Sequence, residues 1–149
     1  MNTQPELIWI DLRTDQNSAS ALAQLGQFFR VRGCSYGESI NEELRVGSPD
    51  ALFIDLDYPD RAGLRLIQQL KINYPSMPIL MGTIQHSEEL AVWAFRSGVL
   101  DFFVKPVAQE DLRRCALRIE EIARQKRRQS KRQAALGDAG MPEEAAPGR

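Results

Sequence analysis

Short apolar runs recur along the chain, and each ends at a polar or small residue. The clearest runs cover residues 7–10, 51–54, 78–81 and 100–104. Because each run is too short for a helix, each is typical of a strand buried on both faces of a sheet. A weaker strand candidate covers residues 33–36. The pattern therefore predicts a sheet of short, buried strands.

The segments between these runs place apolar side chains at helical spacing. Such segments cover residues 20–30, 63–73 and 87–97, and a last helix begins near Gln109. Gly33 and Gly98 are expected where helices end, because glycine readily adopts the left-handed backbone found there. Short strands that alternate with amphipathic helices predict a doubly wound α/β fold, with a five-stranded parallel sheet covered on both faces, over residues 6 to about 125.

The composition is that of an ordinary globular protein and narrows the functional classes. Of 149 residues, 43% are hydrophobic and 26% charged, and the formal net charge of −1 gives the whole molecule no strong field for nucleic acid or a membrane surface. Cys34 and Cys115 are expected to be small buried residues rather than a disulfide. The sequence shows no signal-peptide pattern, and none of its apolar stretches approaches the roughly 18 residues of a membrane helix. We therefore expect a cytoplasmic protein without membrane contact.

The C-terminal part differs in composition, which predicts two regions. Residues 1–125 are expected to form one domain, and residues 126–149 a basic helix extension followed by a disordered tail from Ala134 onwards. The last helix turns basic and polar beyond Ala123. Three interpretations of this segment stay open: a solvated linker, a signalling helix that pairs with its copy in a dimer, and a non-specific contact with nucleic acid.

Four polar residues stand at the ends of the predicted strands: Asp11, Asp55, Thr83 and Lys105. Doubly wound sheets bind ligands at the carboxyl ends of their strands, so we expect these side chains at one edge. Two carboxylates attract a divalent cation such as Mg²⁺, and a hydroxyl and an ammonium bind phosphoryl oxygens. A carboxylate can itself accept the phosphoryl group. The set is therefore suited to Mg²⁺-assisted capture of a phosphoryl group on Asp55.

Several short motifs around these residues resemble one known family. They are Ile10-Asp11, Pro49-Asp50-Ala51-Leu52-Phe53-Ile54-Asp55, Asp57-Tyr58-Pro59, Pro78-Ile79-Leu80-Met81-Gly82-Thr83, Ala94-Phe95-Arg96-Ser97-Gly98 and Asp101-Phe102-Phe103-Val104-Lys105-Pro106. In this order and at this spacing they resemble the CheY-like receiver domains of bacterial response regulators, over about residues 6–125. The resemblance implies a signalling domain of two-component systems rather than an enzyme.

The resemblance implies a role for each matching residue. Asp55 matches the phosphoacceptor, and Asp11 matches the first acid of the Mg²⁺ site. Thr83 matches the hydroxyl that moves to meet the phosphoryl group. Lys105 matches the lysine that contacts the acceptor, and the peptide between it and Pro106 matches one that is usually cis. Phe102 matches the aromatic switch residue, whose ring swings inward when Thr83 shifts.

Partners are implied in the same way. A sensor histidine kinase would donate the phosphoryl group, and an output domain or effector protein would respond to it. A homodimer through the fourth helix, fifth strand and fifth helix is a further expectation. Nucleic acid would be contacted only through an output domain that this sequence does not contain.

One departure from the family pattern opens an alternative. The family has two adjacent acids after the first strand, and here the second position is Leu12. The loss of a charged ligand is expected to weaken Mg²⁺ binding. Asp57, two residues after Asp55, is a candidate to compensate as a metal ligand. The alternative is therefore a pseudo-receiver that acts as a phosphorylation-independent interaction or dimerisation module.

The remaining candidate residues have mainly structural interpretations. Trp9 and Trp93 are interpreted as core or interface anchors, and an exposed Trp93 would be a binding hot spot. His86, the only histidine, is expected to be solvated at the start of the fourth helix. A small-ligand enzyme is disfavoured because the sequence has neither a glycine-rich phosphate loop nor a nucleophile–histidine pair.

Overall fold

The computed structural model describes residues 4–12, 19–35, 39–56, 60–85 and 87–140, and strands alternate with helices along them. The strands are β1 (Glu6–Asp11), β2 (Arg30–Ser35), β3 (Ala51–Asp55), β4 (Ile79–Thr83) and β5 (Asp101–Val104). The helices are α1 (Ala19–Gly26), α2 (Ser39–Val46), α3 (Arg61–Asn73), α4 (Glu88–Arg96) and α5 (Gln109–Gly140).

The strands form one five-stranded sheet in the order β2-β1-β3-β4-β5. Every neighbouring pair is parallel. The direction in which successive strands are added reverses between β1 and β3, which is where doubly wound sheets bind their ligands. The predicted fold is confirmed.

Side-chain alternation along the strands divides the core into two clusters, one on each face of the sheet. The first cluster packs Ile10 and its strand neighbours against α2, α3 and α4. The second packs Leu7, Trp9 and Phe53 against α1 and α5. Because both faces are covered, the central strands must be apolar at nearly every position, and this requirement explains the continuous apolar runs in the sequence.

Side-chain caps and a glycine define the ends of α3 and α4. The carboxylate of Asp60 accepts the backbone N–H of Gly63 at 2.8 Å, and Ser87 caps α4 by accepting from the N–H of Leu90 at 3.3 Å. Gly98 follows α4 with a φ of +96°, a conformation that side chains with a Cβ rarely adopt. The predicted helix end at Gly98 is confirmed.

Two local predictions about the first half of the chain are wrong or incomplete. Gly33 does not end a helix but lies inside β2, because α1 stops at Gly26 and Phe29 turns into the second core cluster. The sequence analysis also assigned no helix to α2. That helix buries only a narrow stripe, Ile40 and Leu44, which is too little apolar periodicity to stand out in a polar segment.

The last helix is longer than predicted. α5 continues through Ala134, where a disordered tail was expected to begin, and ends at Gly140. Three of the seven residues 134–140 are alanine, which has the highest helix propensity. Ala123 is the last buried side chain of α5, and side chains 124–137 are exposed. The domain boundary at residue 125 stays a prediction.

Both cysteines are free thiols, as predicted, with Cys34 partly buried and Cys115 buried. Burial, helped by the nearby charge of Asp101, raises the pKa of Cys115 to about 12. A thiol with so high a pKa is not a nucleophile at neutral pH. Within the described part of the chain, no helix is both long and apolar enough to cross a membrane.

Candidate functional site

The carboxyl ends of four strands bring the predicted site residues to one edge of the sheet. Asp11 is the register partner of Asp55, which in turn pairs with Gly82, the neighbour of Thr83. The backbone N–H of Lys105 donates to the carbonyl oxygen of Thr83 at 2.7 Å, which ties the end of β5 to the end of β4. All four residues named from the strand ends therefore lie at the carboxyl ends of the adjacent strands β1, β3, β4 and β5, with Lys105 directly after β5.

Asp55 and Lys105 form a buried ion pair at this edge. The Lys105 Nζ lies 2.5 Å from Oδ1 of Asp55, and the two side chains are 13% and 0% exposed. A carboxylate that is removed from water needs charge-assisted partners to offset its lost hydration. Lys105 supplies such a partner. The peptide that joins Lys105 to Pro106 is cis, as the resemblance implied.

Trp9 belongs to the site as well, and the sequence analysis missed this role. Its indole Nε1–H donates to Oδ2 of Asp55 at 3.1 Å in a buried hydrogen bond. The two oxygens of the Asp55 carboxylate thus accept from different side chains, Lys105 at Oδ1 and Trp9 at Oδ2. The ring itself packs in the second core cluster, so the predicted core role is also correct.

A signal for this contact was present in the sequence. Trp9 lies two residues before Asp11, so both project from the same face of β1. Trp9 pairs in register with Phe53, and the next residue of β3 on that face is Asp55. An indole is long enough to contact the diagonal neighbour on an adjacent strand. The contact was therefore accessible to reasoning from strand register, but not from a short motif.

Thr83 and Phe102 lie on the other face of the sheet from Trp9. Thr83 is fully buried, and its Oγ1 accepts the N–H of Gln85 at 3.2 Å. Phe102 is partly buried, pairs in register with Met81 and packs against the first core cluster. Because Met81 and Thr83 are two residues apart on one strand, Thr83 shares the face of Phe102. The face that carries α4 is therefore the one on which a movement of Thr83 would act.

At the predicted Mg²⁺ site the described residues place two carboxylates, and position 12 is occupied by leucine instead of an acid. Leu12 packs its side chain against the first core cluster, and its backbone N–H donates to the carbonyl oxygen of Asp55 at 3.0 Å. No group of three or more acidic, histidine or cysteine side chains that could hold a metal ion occurs within the described ranges. Asp11 and Asp55 are the described carboxylates at this edge, and Asp55 is already bonded to two donors. Mg²⁺ is usually held by one or two carboxylates together with several waters, so Asp11 and Asp55 are the described residues that would hold it.

Two candidate residues fall outside the described part of the chain. These are Asp57, the predicted compensating ligand, and His86, the residue expected to be solvated. Their roles stay predictions.

Comparison with known proteins gives one consistent result. The family model of the response regulator receiver domain matches residues 11–116. The chain is 34% identical over 94 residues to the luminescence regulatory protein LuxO of Vibrio campbellii, covering 63% of this chain and 20% of LuxO. It is 33% identical over 70 residues to the DNA-binding transcriptional regulator NtrC of Escherichia coli K12, covering 47% of this chain and 15% of NtrC.

A solved structure supports the fold. NtrX of Brucella abortus, crystallised with ADP, superposes with a TM-score of 0.69 at 24% identity, covering 90% of this chain and 30% of NtrX. At 24% identity the match shows only that the fold is shared. The chain spans about a fifth of the length of the curated relatives that it matches first.

Proposed function

Because the chain belongs to the response regulator receiver domain family, we propose that it is a phosphorylation switch with Asp55 as the phosphoryl acceptor. The single observation that carries this proposal is the buried pair of Asp55 and Lys105 at the end of β3, with Thr83 at the end of the next strand. Phosphoryl transfer requires an acceptor, charge neutralisation and positioning, and these residues are suited to each.

The proposed chemistry uses the side chains in distinct roles. A carboxylate oxygen of Asp55 forms a bond to phosphorus, and the bond between phosphorus and the donor breaks, which yields an acyl phosphate. The donor we propose is the phosphohistidine of a sensor histidine kinase. Lys105 offsets the added negative charge, and the hydroxyl of Thr83 donates to a phosphoryl oxygen. Receiver domains generally use Mg²⁺ at this site, where Asp11 and Asp55 would hold it and the ion would offset the charge of the incoming phosphoryl group.

The proposed output is a change on the face formed by α4, β5 and α5. Thr83 and Phe102 share one face of the sheet, so a shift of the Thr83 side chain alters the packing beneath α4. Phe95 on α4 is 53% exposed, which suits a surface that binds another protein. We propose that this face binds either a second copy of the chain or an output partner.

The output partner and its setting are part of the same proposal. NtrC is described as a DNA-binding transcriptional regulator. We propose that an output domain or effector protein responds to this receiver, and that any contact with nucleic acid belongs to that partner. We propose a cytoplasmic location, because the proposed kinase would present its phosphohistidine in the cytoplasm.

A second candidate function is a pseudo-receiver that binds partners without phosphorylation. It is favoured by Leu12 at the place of a metal-site acid and by the complete burial of Asp55. In this alternative the fold and the exposed face of α4 are retained, and Asp55 and Lys105 form a structural ion pair.

The phosphoacceptor role is tested by labelling. We expect a small phosphodonor with Mg²⁺ to produce an acid-labile and hydroxylamine-labile acyl phosphate on the wild-type protein, and Asp55→Asn to abolish it. Asp111→Asn, which changes an exposed carboxylate on α5, is the matched control and should label like wild type. Retained labelling of Asp55→Asn would mean that another residue is the acceptor.

The switch is tested separately by NMR with beryllofluoride, a mimic of the phosphoryl group. Amide shifts that extend from Asp55 and Thr83 to Phe102 support the phosphorylation switch. A folded protein whose amides do not move at millimolar Mg²⁺ and beryllofluoride would favour the pseudo-receiver.

A further inference from the structure

The contact between Trp9 and Asp55 has no counterpart in the phosphorylation chemistry proposed above. The indole Nε1–H lies 3.1 Å from Oδ2 of Asp55, and Trp9 is only 7% exposed. An indole N–H is a donor with no acceptor capacity, so it can stabilise an anion but cannot bind a cation. Oδ2 of Asp55 therefore contacts a hydrogen-bond donor, whereas a divalent ion is normally surrounded by oxygen atoms that supply lone pairs.

We propose that Trp9 is a positioning residue that competes with a divalent cation for Oδ2 of Asp55 and so holds the domain in a state of low metal affinity. Its functional meaning rests on the proposed role of Asp55 as phosphoryl acceptor. Mg²⁺ binds oxygen at about 2.0–2.1 Å. A cation that approached along the lone pair used by Trp9 would meet the positive indole hydrogen, so the indole must withdraw before the metal binds there.

The residues around Asp55 fit this competition. The acceptor's charge is offset by the Lys105 ammonium at Oδ1 and by the indole dipole at Oδ2. At Leu12, where the family has a second acid, an apolar side chain packs into the core instead. Leu12 removes a metal ligand, and the indole of Trp9 occupies an oxygen of Asp55, a ligand that remains. Both lower the affinity for a cation, and they act independently.

The register of the sheet places the indole beside Asp55 when no metal is bound. Trp9 pairs with Phe53, and both rings pack in the second core cluster. The indole is thereby held in place by core packing rather than by Asp55 alone. Because core packing holds the indole beside Asp55, the contact exists before a cation binds. A group that competes with the cation must already be in place in this way.

The test compares Trp9→Phe with Trp93→Phe by NMR titration with Mg²⁺ alone. Trp9→Phe keeps an aromatic ring in the core but removes the donor, whereas Trp93 lies on α4 and packs against the other cluster. We expect the Kd for Mg²⁺ to fall at least about tenfold in Trp9→Phe, or about 1.4 kcal/mol, and to stay at the wild-type value in Trp93→Phe. An unchanged Kd in folded Trp9→Phe, including no binding by any of the three proteins, would overturn the proposal.

A second measurement does not require Trp9→Phe to fold. Leu12→Asp restores the acid and keeps the indole, so its Mg²⁺ titration reports on Trp9 directly. The indole N–H resonance of Trp9, identified by its persistence in Trp93→Phe, should move as Mg²⁺ binds. Shifts of the Asp11 and Asp55 amides without any shift of that resonance would contradict a competition.

The outcome is separable from that of the labelling experiment. Tighter Mg²⁺ binding by Trp9→Phe, with no acyl phosphate on either protein, would leave the competition standing and refute the phosphoacceptor role. Labelled wild-type protein, with the same Mg²⁺ affinity in Trp9→Phe, would support the phosphoacceptor role and refute the competition.

Discussion

Charged side chains occur in two contrasting settings in this molecule: the edge of the sheet and the exposed part of α5. At the edge, the carboxylate of Asp55 is completely buried against Lys105 and Trp9. On α5, Arg124 forms ion pairs with Glu120 and Glu121 at 3.1 and 3.2 Å while remaining 48% exposed. The surroundings of the two sets of charges differ, because protein encloses the carboxylate of Asp55 and water reaches the ion pairs of Arg124.

Burial, rather than the presence of an ion pair, decides how strongly the loss of one charged partner lowers the stability of the fold. An exposed pair contributes about 0–1 kcal/mol because water solvates either partner when it is alone. A buried pair contributes little more as a pair, but removal of one partner leaves a charge that nothing solvates. The edge of the sheet is therefore sensitive to any change of charge, as a switch requires, and the surface of α5 is not.

The largest effect is expected from Lys105→Met. This change leaves the buried carboxylate of Asp55 without its ammonium, so the free energy of unfolding should fall by about 3 kcal/mol. Urea denaturation followed by circular dichroism measures it. The double variant Lys105→Met with Asp55→Leu removes both charges and should recover most of the loss. A single variant as stable as wild type would show that Asp55 is not a buried charge in solution.

An intermediate effect is expected from Leu12→Asp. The added carboxylate stands beside Asp11 at the edge of the sheet, where Mg²⁺ favours oxygen ligands. The Kd for Mg²⁺ should fall about tenfold, or about 1.4 kcal/mol, as measured by isothermal titration calorimetry. Leu12→Asn has a similar shape without the charge and is the control. Equal affinities in both variants would show that charge at this position does not govern metal binding.

The smallest effect is expected from Arg124→Met, the counterpart of Lys105→Met on the exposed helix. Both of its ion pairs are solvated, so the free energy of unfolding should change by less than about 0.5–1 kcal/mol. The same urea denaturation applies. A loss as large as that of Lys105→Met would mean that the surface of α5 is covered in solution, for instance by a second copy of the chain.

Much of the fold could be predicted because it depends on local composition. Strands covered on both faces must be apolar throughout, so β1, β3, β4 and β5 stand out as runs. β2 was expected three residues too late, and α2 was not expected at all. Both lie where few side chains are buried, so the sequence contains little periodic signal there.

The functional site likewise has features that local sequence predicts and features that depend on long-range packing. The sequence alone indicates which polar residues follow the buried strands, because each apolar run stops where its strand ends, even though Asp55 and Thr83 are themselves buried. It thereby determined that Asp11, Asp55, Thr83 and Lys105 share one edge. Two contacts were visible only in the folded molecule: the hydrogen bond from the indole of Trp9 to Oδ2 of Asp55, and the packing of Leu12 into the core. These contacts depend on the register of neighbouring strands and on side-chain direction, and both are set by long-range packing rather than by residues near in sequence.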